Sequence, residues 1–339
     1  MFHSLISHLV TFSFLFVLVV TPITATQQPS PANNEREAAL KLLQEKQYAE
    51  AAKAWRTFLS DSKNQKDAEA WLYLGIALYR NKEIDAAGDA LKKAVKLNNK
   101  SEAAHANYAA VLYAAHKFKD AEKEVNETLK LNANNHEAMY LRVLLRYNKG
   151  MLTQALADID RLLQLNPQFA PAYLLKAQAI IGQLYTNSGK LKMDFPPEWK
   201  DTFLVAAQYT EQYLQRSLNS DDADFWRERI QALRFYGGSD NSLGCEKATM
   251  NLRPEILYQE KAKYTEEARF AGIRGTVRLR AIFDVNGQIK HILPMNHLAG
   301  GLTEEAIKAM QKMRFKPAVK DGKPICVSMM VEFAFELLR

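Results

Sequence analysis

The residues of this 339-residue chain that could do chemistry are seven histidines, two cysteines and a few close acidic pairs. His3, His8, His105, His116, His136, His291 and His297 never stand at metal-ligand spacing with Cys or carboxylates. Cys245 and Cys326 lie far apart, and a zinc site needs more ligands at close spacing. They could pair in an oxidising compartment, or stand as two unrelated small hydrophobes, and the second is the expectation. Asp284-Val285-Asn286-Gly287 shares letters with a calcium loop but lacks the later ligands, so it reads as a turn. Glu304-Glu305 open a helix, where the dipole favours acids, and are not a catalytic pair. No nucleophile elbow, zinc-protease motif, phosphate loop or dinucleotide fingerprint occurs. The expectation is a non-enzymatic protein with no cofactor and no metal.

Composition agrees. Apolar residues make up 47%, enough for substantial cores, and the net charge of +7 is spread along the chain without a basic run interleaved with aromatics. Nucleic acid is therefore not an expected partner. Residues 1–26 differ in kind. Leu9 to Val20 is almost wholly apolar, and Ile23-Thr24-Ala25 gives a small-residue ending. The run is short for a membrane span and fits a secretory signal, although no Lys or Arg precedes it. A cleaved signal places the protein in the periplasm; a retained anchor would hold it at the inner membrane with its bulk in the periplasm.

After a polar linker, 27–34, the chain reads as helical through 236. Tyr79, Tyr113 and Tyr147 stand 34 residues apart, as do Ala87, Ala121 and Ala155, and Leu91, Val125 and Ile159. Trp71, Leu74 and Gly75 form a W-x-x-L-G opening, and Asn166-Pro167 closes a repeat. In period and motif this region resembles the tetratricopeptide repeat family. The resemblance implies an α-solenoid of helix pairs stacked to bury their apolar faces. A degenerate unit at 35–66 precedes three clear ones near 68–101, 102–135 and 136–169. A fifth is interrupted by a loop, 186–199, and Ala223–Tyr236 caps the stack. The recurring Tyr79, Tyr113 and Tyr147 have two readings: a row of amphipathic rings along an open groove that grips a protein partner, or packing between repeats.

Gly237-Gly238-Ser239-Asp240 opens a second linker, 237–255, beyond which the period changes. Thr276–Val285 alternates with Val277, Leu279, Ala281, Phe283 and Val285 on one face. Asn286-Gly287 is a two-residue hairpin signal with positive φ at both positions. A second strand follows at 288–293. A helix over 303–314 is capped by Thr303, and Pro324–Phe335 is a third strand. Residues 256–339 thus form a small α+β domain of helix–strand–strand–helix–strand order. Tyr264-Thr265-Glu266-Glu267-Ala268-Arg269, Gly272-Ile273-Arg274-Gly275-Thr276-Val277, Asp284 to Gly287, Met313-Arg314-Phe315-Lys316-Pro317-Ala318 and Gly322-Lys323-Pro324 follow in order. This chain of motifs resembles the TonB C-terminal domain, with Thr265 in place of a proline and Met313 in place of an aromatic. The resemblance implies that the last strand adds a partner strand along its edge, as TonB domains do with a segment of outer-membrane TonB-dependent transporters. The residues so implied are Ile325, Cys326, Val327, Ser328, Met329, Met330, Val331, Glu332 and Phe333. The other reading has that edge paired in a dimer or covered by the linker.

Together these readings describe an adaptor of the Gram-negative cell envelope that binds proteins through its repeats and its terminal domain. The alternative is an anchored energy transducer for outer-membrane transport. Residues 1–26 separate the two. N-terminal sequencing and membrane fractionation are expected to find a soluble mature chain beginning near Thr26. Retained Met1 in an inner-membrane fraction that survives a high-salt wash would favour the transducer.

Overall fold

The 34-residue period reappears in backbone chemistry. The computed structural model describes residues 31–187, 197–217, 221–238, 245–249 and 251–336. The signal or anchor segment, most of the expected loop at 186–199 and part of the second linker therefore lie outside the described residues. The chain divides into two units, one ending at Leu145 and one beginning at Arg146.

The first unit holds α1 (Pro31–Gln44), α2 (Tyr48–Ser60), α3 (Ala68–Arg80), α4 (Ile84–Leu97), α5 (Glu102–Ala114), α6 (Phe118–Leu131) and most of α7 (His136–Asn148). Helices α3, α5 and α7 begin at side-chain caps 34 residues apart. The Asp67 carboxylate accepts from the Glu69 and Ala70 amides, Ser101 Oγ from Ala104 and Asn135 Oδ1 from Ala138. Each cap satisfies amides that have no partner within the helix. The following turn repeats too. Lys82 and His116 have φ of 66° and 57°, and their amides donate to the carbonyls of Tyr79 and Tyr113. The next residues, Glu83 and Lys117, bond back to Leu78 and Leu112, which closes a Schellman-type helix end.

Pairing within a repeat depends on small residues. A Cβ on Gly75 would sit 2.9 Å from Leu91 Cδ2, so α3 meets α4 only because the side chain is missing there. Ala87, Ala121 and Leu91 are fully buried, and Trp55 lies in the same core, stacked on Tyr73 at 5.4 Å.

The second unit joins the last repeat helices to the C-terminal domain. Its helices are α8 (Leu152–Leu165), α9 (Ala170–Asn187), α10 (Lys200–Arg216) and α11 (Ala223–Gly237). Beyond them come β1 (Glu246–Lys247), β2 (Glu255–Tyr258), α12 (Glu266–Phe270), β3 (Gly275–Phe283), β4 (Ile289–Pro294), α13 (Leu302–Gln311), β5 (Arg314–Lys316), β6 (Ala318–Lys320), β7 (Lys323–Ile325) and β8 (Val327–Phe335). The main sheet runs β1-β8-β3-β4. β3 pairs antiparallel with β8 from Gly275↔Phe335 to Phe283↔Val327, and α13 covers one face through Leu302, Ala306 and Met310. Thr265 caps α12 and also bonds the Gly300 carbonyl, so it serves in place of the proline. Met313 is buried in the domain core.

Four expectations change. The expected strand 324–335 breaks at Cys326: Lys323–Ile325 pairs with β6 in a separate ribbon. Val285 is 44% exposed and lies in the turn, not on the buried face. At that turn only Gly287 has positive φ, because the Asp284 carboxylate accepts from the amides of Asn286 and Gln288 and holds a type I turn. Thr303 does not cap α13. Gly301 holds that position, and the Thr303 hydroxyl accepts from the Leu298 amide.

The cysteines give a fifth correction. Cys245 and Cys326 form a disulfide with Cα atoms 4.8 Å apart. The chain between them folds β3, β4 and α13 back on themselves, which brings residues 81 positions apart to one place. Sequence separation hides such a meeting.

The outer side of β4 packs on α11. His291 stacks on Phe235 at 4.1 Å, Arg229 Nη1 donates to the Ile292 carbonyl, and Leu293 is buried among Ile181, Phe203, Leu233 and Tyr236. Farther along, Gln178 Nε2 donates to Glu304 at 3.1 Å, Asn148 bonds Glu267, and His297 lies edge-on to Tyr147. Burial holds the His297 imidazole down to about 4, helped by the Arg229 charge. Burial raises the Glu304 carboxyl above its usual range.

Two tests follow from this packing. Gly75→Val should lower stability by about 1–3 kcal/mol through overpacking against Leu91, read as a lower urea midpoint at unchanged slope. For His297 the unfolded imidazole titrates near 6.5 and the folded one near 4. Between those values the unfolded chain binds more protons, so this contribution is whole above 6.5 and is lost as pH falls toward 4. Glu304, with its raised value, acts in the opposite sense and is present in both proteins compared. His297→Gln should therefore remove up to roughly 1.4 kcal/mol per pH unit of acid destabilisation across that window. Parallel wild-type and variant stability curves from pH 7 to 4.5 would refute the neutral buried imidazole.

Candidate partner-binding surfaces

The tyrosine ladder sits at the helix–helix turn of each repeat, and its position there decides its exposure. Tyr113 and Tyr147 are 4% and 3% exposed. Tyr113 meets the edge of Phe118, the first residue of the helix after the turn, at 5.3 Å. Tyr79 is partly buried on the core of the first unit, and burial raises its hydroxyl above the usual range. Tyr147 is raised well above it, by burial first and then by the Glu304 charge. The open-groove reading is thus corrected for Tyr113 and Tyr147. A ring at the end of the first helix falls over the turn, where the next helix covers it. Sequence spacing reports the recurrence of such a position but not what covers it.

The last strand presents a different surface. Its odd-numbered residues, Val327 to Phe335, point into the domain core, while Met330, Glu332 and Ala334 are exposed. Ladder bonds alternate along a strand, so successive residues turn their backbone groups to opposite sides. The Cys326 and Ser328 carbonyls face away from β3, since they accept from the amides of Glu246 and Ala248. By the same alternation the amides and carbonyls of Met330, Glu332 and Ala334 face outward. Among the described residues no backbone group pairs with them.

The expected edge, Ile325 to Phe333, therefore divides into three parts. Ile325 belongs to the β6–β7 ribbon. Cys326 to Ser328 are covered by β1, which pairs parallel as Glu246↔Val327 and Lys247↔Ser328. Met329 to Phe333 keep an outer side with no strand on it among the described residues. On the exposed face beside this edge Arg278 pairs with Glu332 at 2.6 Å, and Arg280 Nε donates to Ser328 Oγ at 3.1 Å. Sequence reading missed β1, which is two residues long with no alternation to betray it. Its only signal was the cysteine next to it.

Among the described residues no group of three or more His, Cys, Asp or Glu side chains could hold a metal ion, and no helix is long and apolar enough to cross a membrane. His105, whose place in the repeat matches Trp71, is buried and bridges Glu124 Oε2 at 2.6 Å and the Asn99 carbonyl at 3.1 Å. It braces α5 against α6.

Comparison with known proteins separates the same two regions. Residues 36–102 and 108–170 match the tetratricopeptide repeat family, and residues 260–337 match the Gram-negative bacterial TonB protein C-terminal family. Among solved structures, MamA from Desulfovibrio magneticus RS-1 is 18% identical, covering 57% of this chain and 100% of that one at a TM-score of 0.45. PilF of Pseudomonas aeruginosa is 16% identical, covering 61% and 87% at 0.49. YrrB, described as a TPR protein with an unusual peptide-binding site, is 17% identical, covering 58% and 92% at 0.43. No curated protein matches the chain in sequence. Both matched families are protein-interaction modules, and the second is tied to the envelope. The chain carries helical tetratricopeptide-type repeats followed by a small strand-containing domain that matches the TonB C-terminal family over residues 260–337.

Proposed function

We propose that this protein is a non-enzymatic adaptor of the cell envelope, exported to the periplasm. Its repeats hold one protein partner, and its C-terminal domain contacts an envelope or outer-membrane component by strand addition. The observation that carries the reading is the outer edge of β8, where Met330, Glu332 and Ala334 turn outward backbone groups that pair with nothing among the described residues. An unpaired edge favours an incoming strand, because each added residue pair satisfies main-chain groups on both chains. An outer-membrane transporter of the TonB-dependent class is the partner that the family resemblance suggests. The second reading, an inner-membrane-anchored energy transducer, rests on the apolar run from Leu9 to Val20. It uses the same edge and differs only in whether that run is retained.

The edge is tested by titrating the full chain with a short extended peptide from the periplasm-facing end of such a transporter. Met330→Pro removes an outward amide and should weaken binding about tenfold, the equivalent of one lost hydrogen bond of roughly 1.4 kcal/mol. Met330→Thr keeps the amide and should bind as the wild type does. Equal binding by all three proteins, each shown by melting to be folded, would refute strand addition at this edge.

A further inference from the structure

The start of the β8 edge already carries a strand. β1 lies parallel to it, donating from the Glu246 amide to the Cys326 carbonyl and from the Ala248 amide to the Ser328 carbonyl. The Glu246 carboxylate pairs with Lys320 on β6. The Cys245–Cys326 disulfide stands at the head of this pairing. Cys245 and Cys326 are half-buried residues.

We propose that β1 is an internal occupant of the partner-strand site, clasped there by the disulfide, so that the redox state of Cys245 and Cys326 sets how much of the β8 edge a partner can use. The inference rests on strand addition at that edge. With the bond closed, the edge left without a strand among the described residues runs from Met329 to Phe335. With it reduced, the edge lengthens to include Cys326 to Ser328, whose backbone groups β1 now holds.

The weakness of β1 supports this. Besides the disulfide, β1 is held by a ladder of two residue pairs, one surface ion pair and the packing of the small Ala248 side chain on the domain core, a modest set against the entropy of ordering the segment. A two-residue strand persists on an edge when something else pins it, and here the pin is covalent. β1 also shows the chemistry that this edge accepts: an extended backbone presenting amides at alternate residues to the outward carbonyls of β8. The occupant that fits is therefore an extended peptide segment.

The opening step is thiol–disulfide exchange with a dithiol reductant. One thiolate of the dithiol attacks a sulfur of the Cys245–Cys326 bond, forms a mixed disulfide and releases the other cysteine as a thiolate. The second thiol of the reductant then attacks the mixed disulfide, leaving as a disulfide itself. The protein gains two electrons and two protons and holds two thiols. No other cysteine is present to compete.

The test uses the full chain and a synthetic peptide spanning residues 244–250 with serine in place of the cysteine. In the oxidised protein the amides of Glu246 and Ala248 should be protected from hydrogen exchange. After dithiothreitol, and in the Cys245→Ser/Cys326→Ser variant without it, those amides should exchange freely while β3 and β8 stay protected. The peptide should then bind the reduced protein and the variant at least tenfold more tightly than the oxidised protein. Persistent protection of Glu246 and Ala248 after reduction, or equal peptide binding to the oxidised and reduced chains, overturns the clasp alone. Released β1 with no binding of this peptide or of a transporter-derived one overturns strand addition itself, and the gate with it.

Discussion

A sheet has two edges, and in the C-terminal domain one of them is buried by the repeats. Leu293 of β4 sits among Ile181, Phe203, Leu233 and Tyr236, and His291 lies flat on Phe235. The apolar burial at this seam is worth more than any surface ion pair in the domain. It fixes β4 against α11, and β8 borders the opposite edge of the sheet, across β3 from β4. The chemistry open to a partner follows from that arrangement. The alternation of β8 commits Val327, Met329, Val331, Phe333 and Phe335 to the core, so recognition there falls to backbone groups and to the exposed Met330 and Glu332.

The same seam changes what the repeats can offer. Tyr147, Asn148 and Gln178 belong to repeat helices, and each touches the C-terminal domain through His297, Glu267 or Glu304. In the second unit these repeat side chains are thus engaged within the chain. Burying His297 and Glu304 between helices and sheet is costly unless each stays neutral or finds a partner. Burial shifts each toward its neutral form, His297 down to about 4 and Glu304 upward.

The disulfide is the third constraint, and it acts at the edge left over by the first. It ties a short segment to β8 at the point where the β6–β7 ribbon ends. The edge is thus bounded at one end by a covalent bond and carries no strand at the other among the described residues.

The sequence by itself determined the elements that depend on local pattern. The period of 34 residues, the small residues at Gly75, Ala87 and Ala121, and the ordered motifs from Tyr264 to Pro324 were enough to name two families and their fold classes, because helix pairing and strand alternation are written in neighbouring residues. Caps such as Asp67, Ser101 and Asn135 were also present in the sequence as a spacing, though only their bonds reveal the role. Only the tertiary structure decided what covers a recurring residue and which distant segments meet. It buried Tyr113 under Phe118, joined Cys245 to Cys326, placed β1 on the start of the edge and brought His297 to Tyr147 across 150 positions. Those contacts depend on how whole elements pack, and a linear pattern carries no term for that.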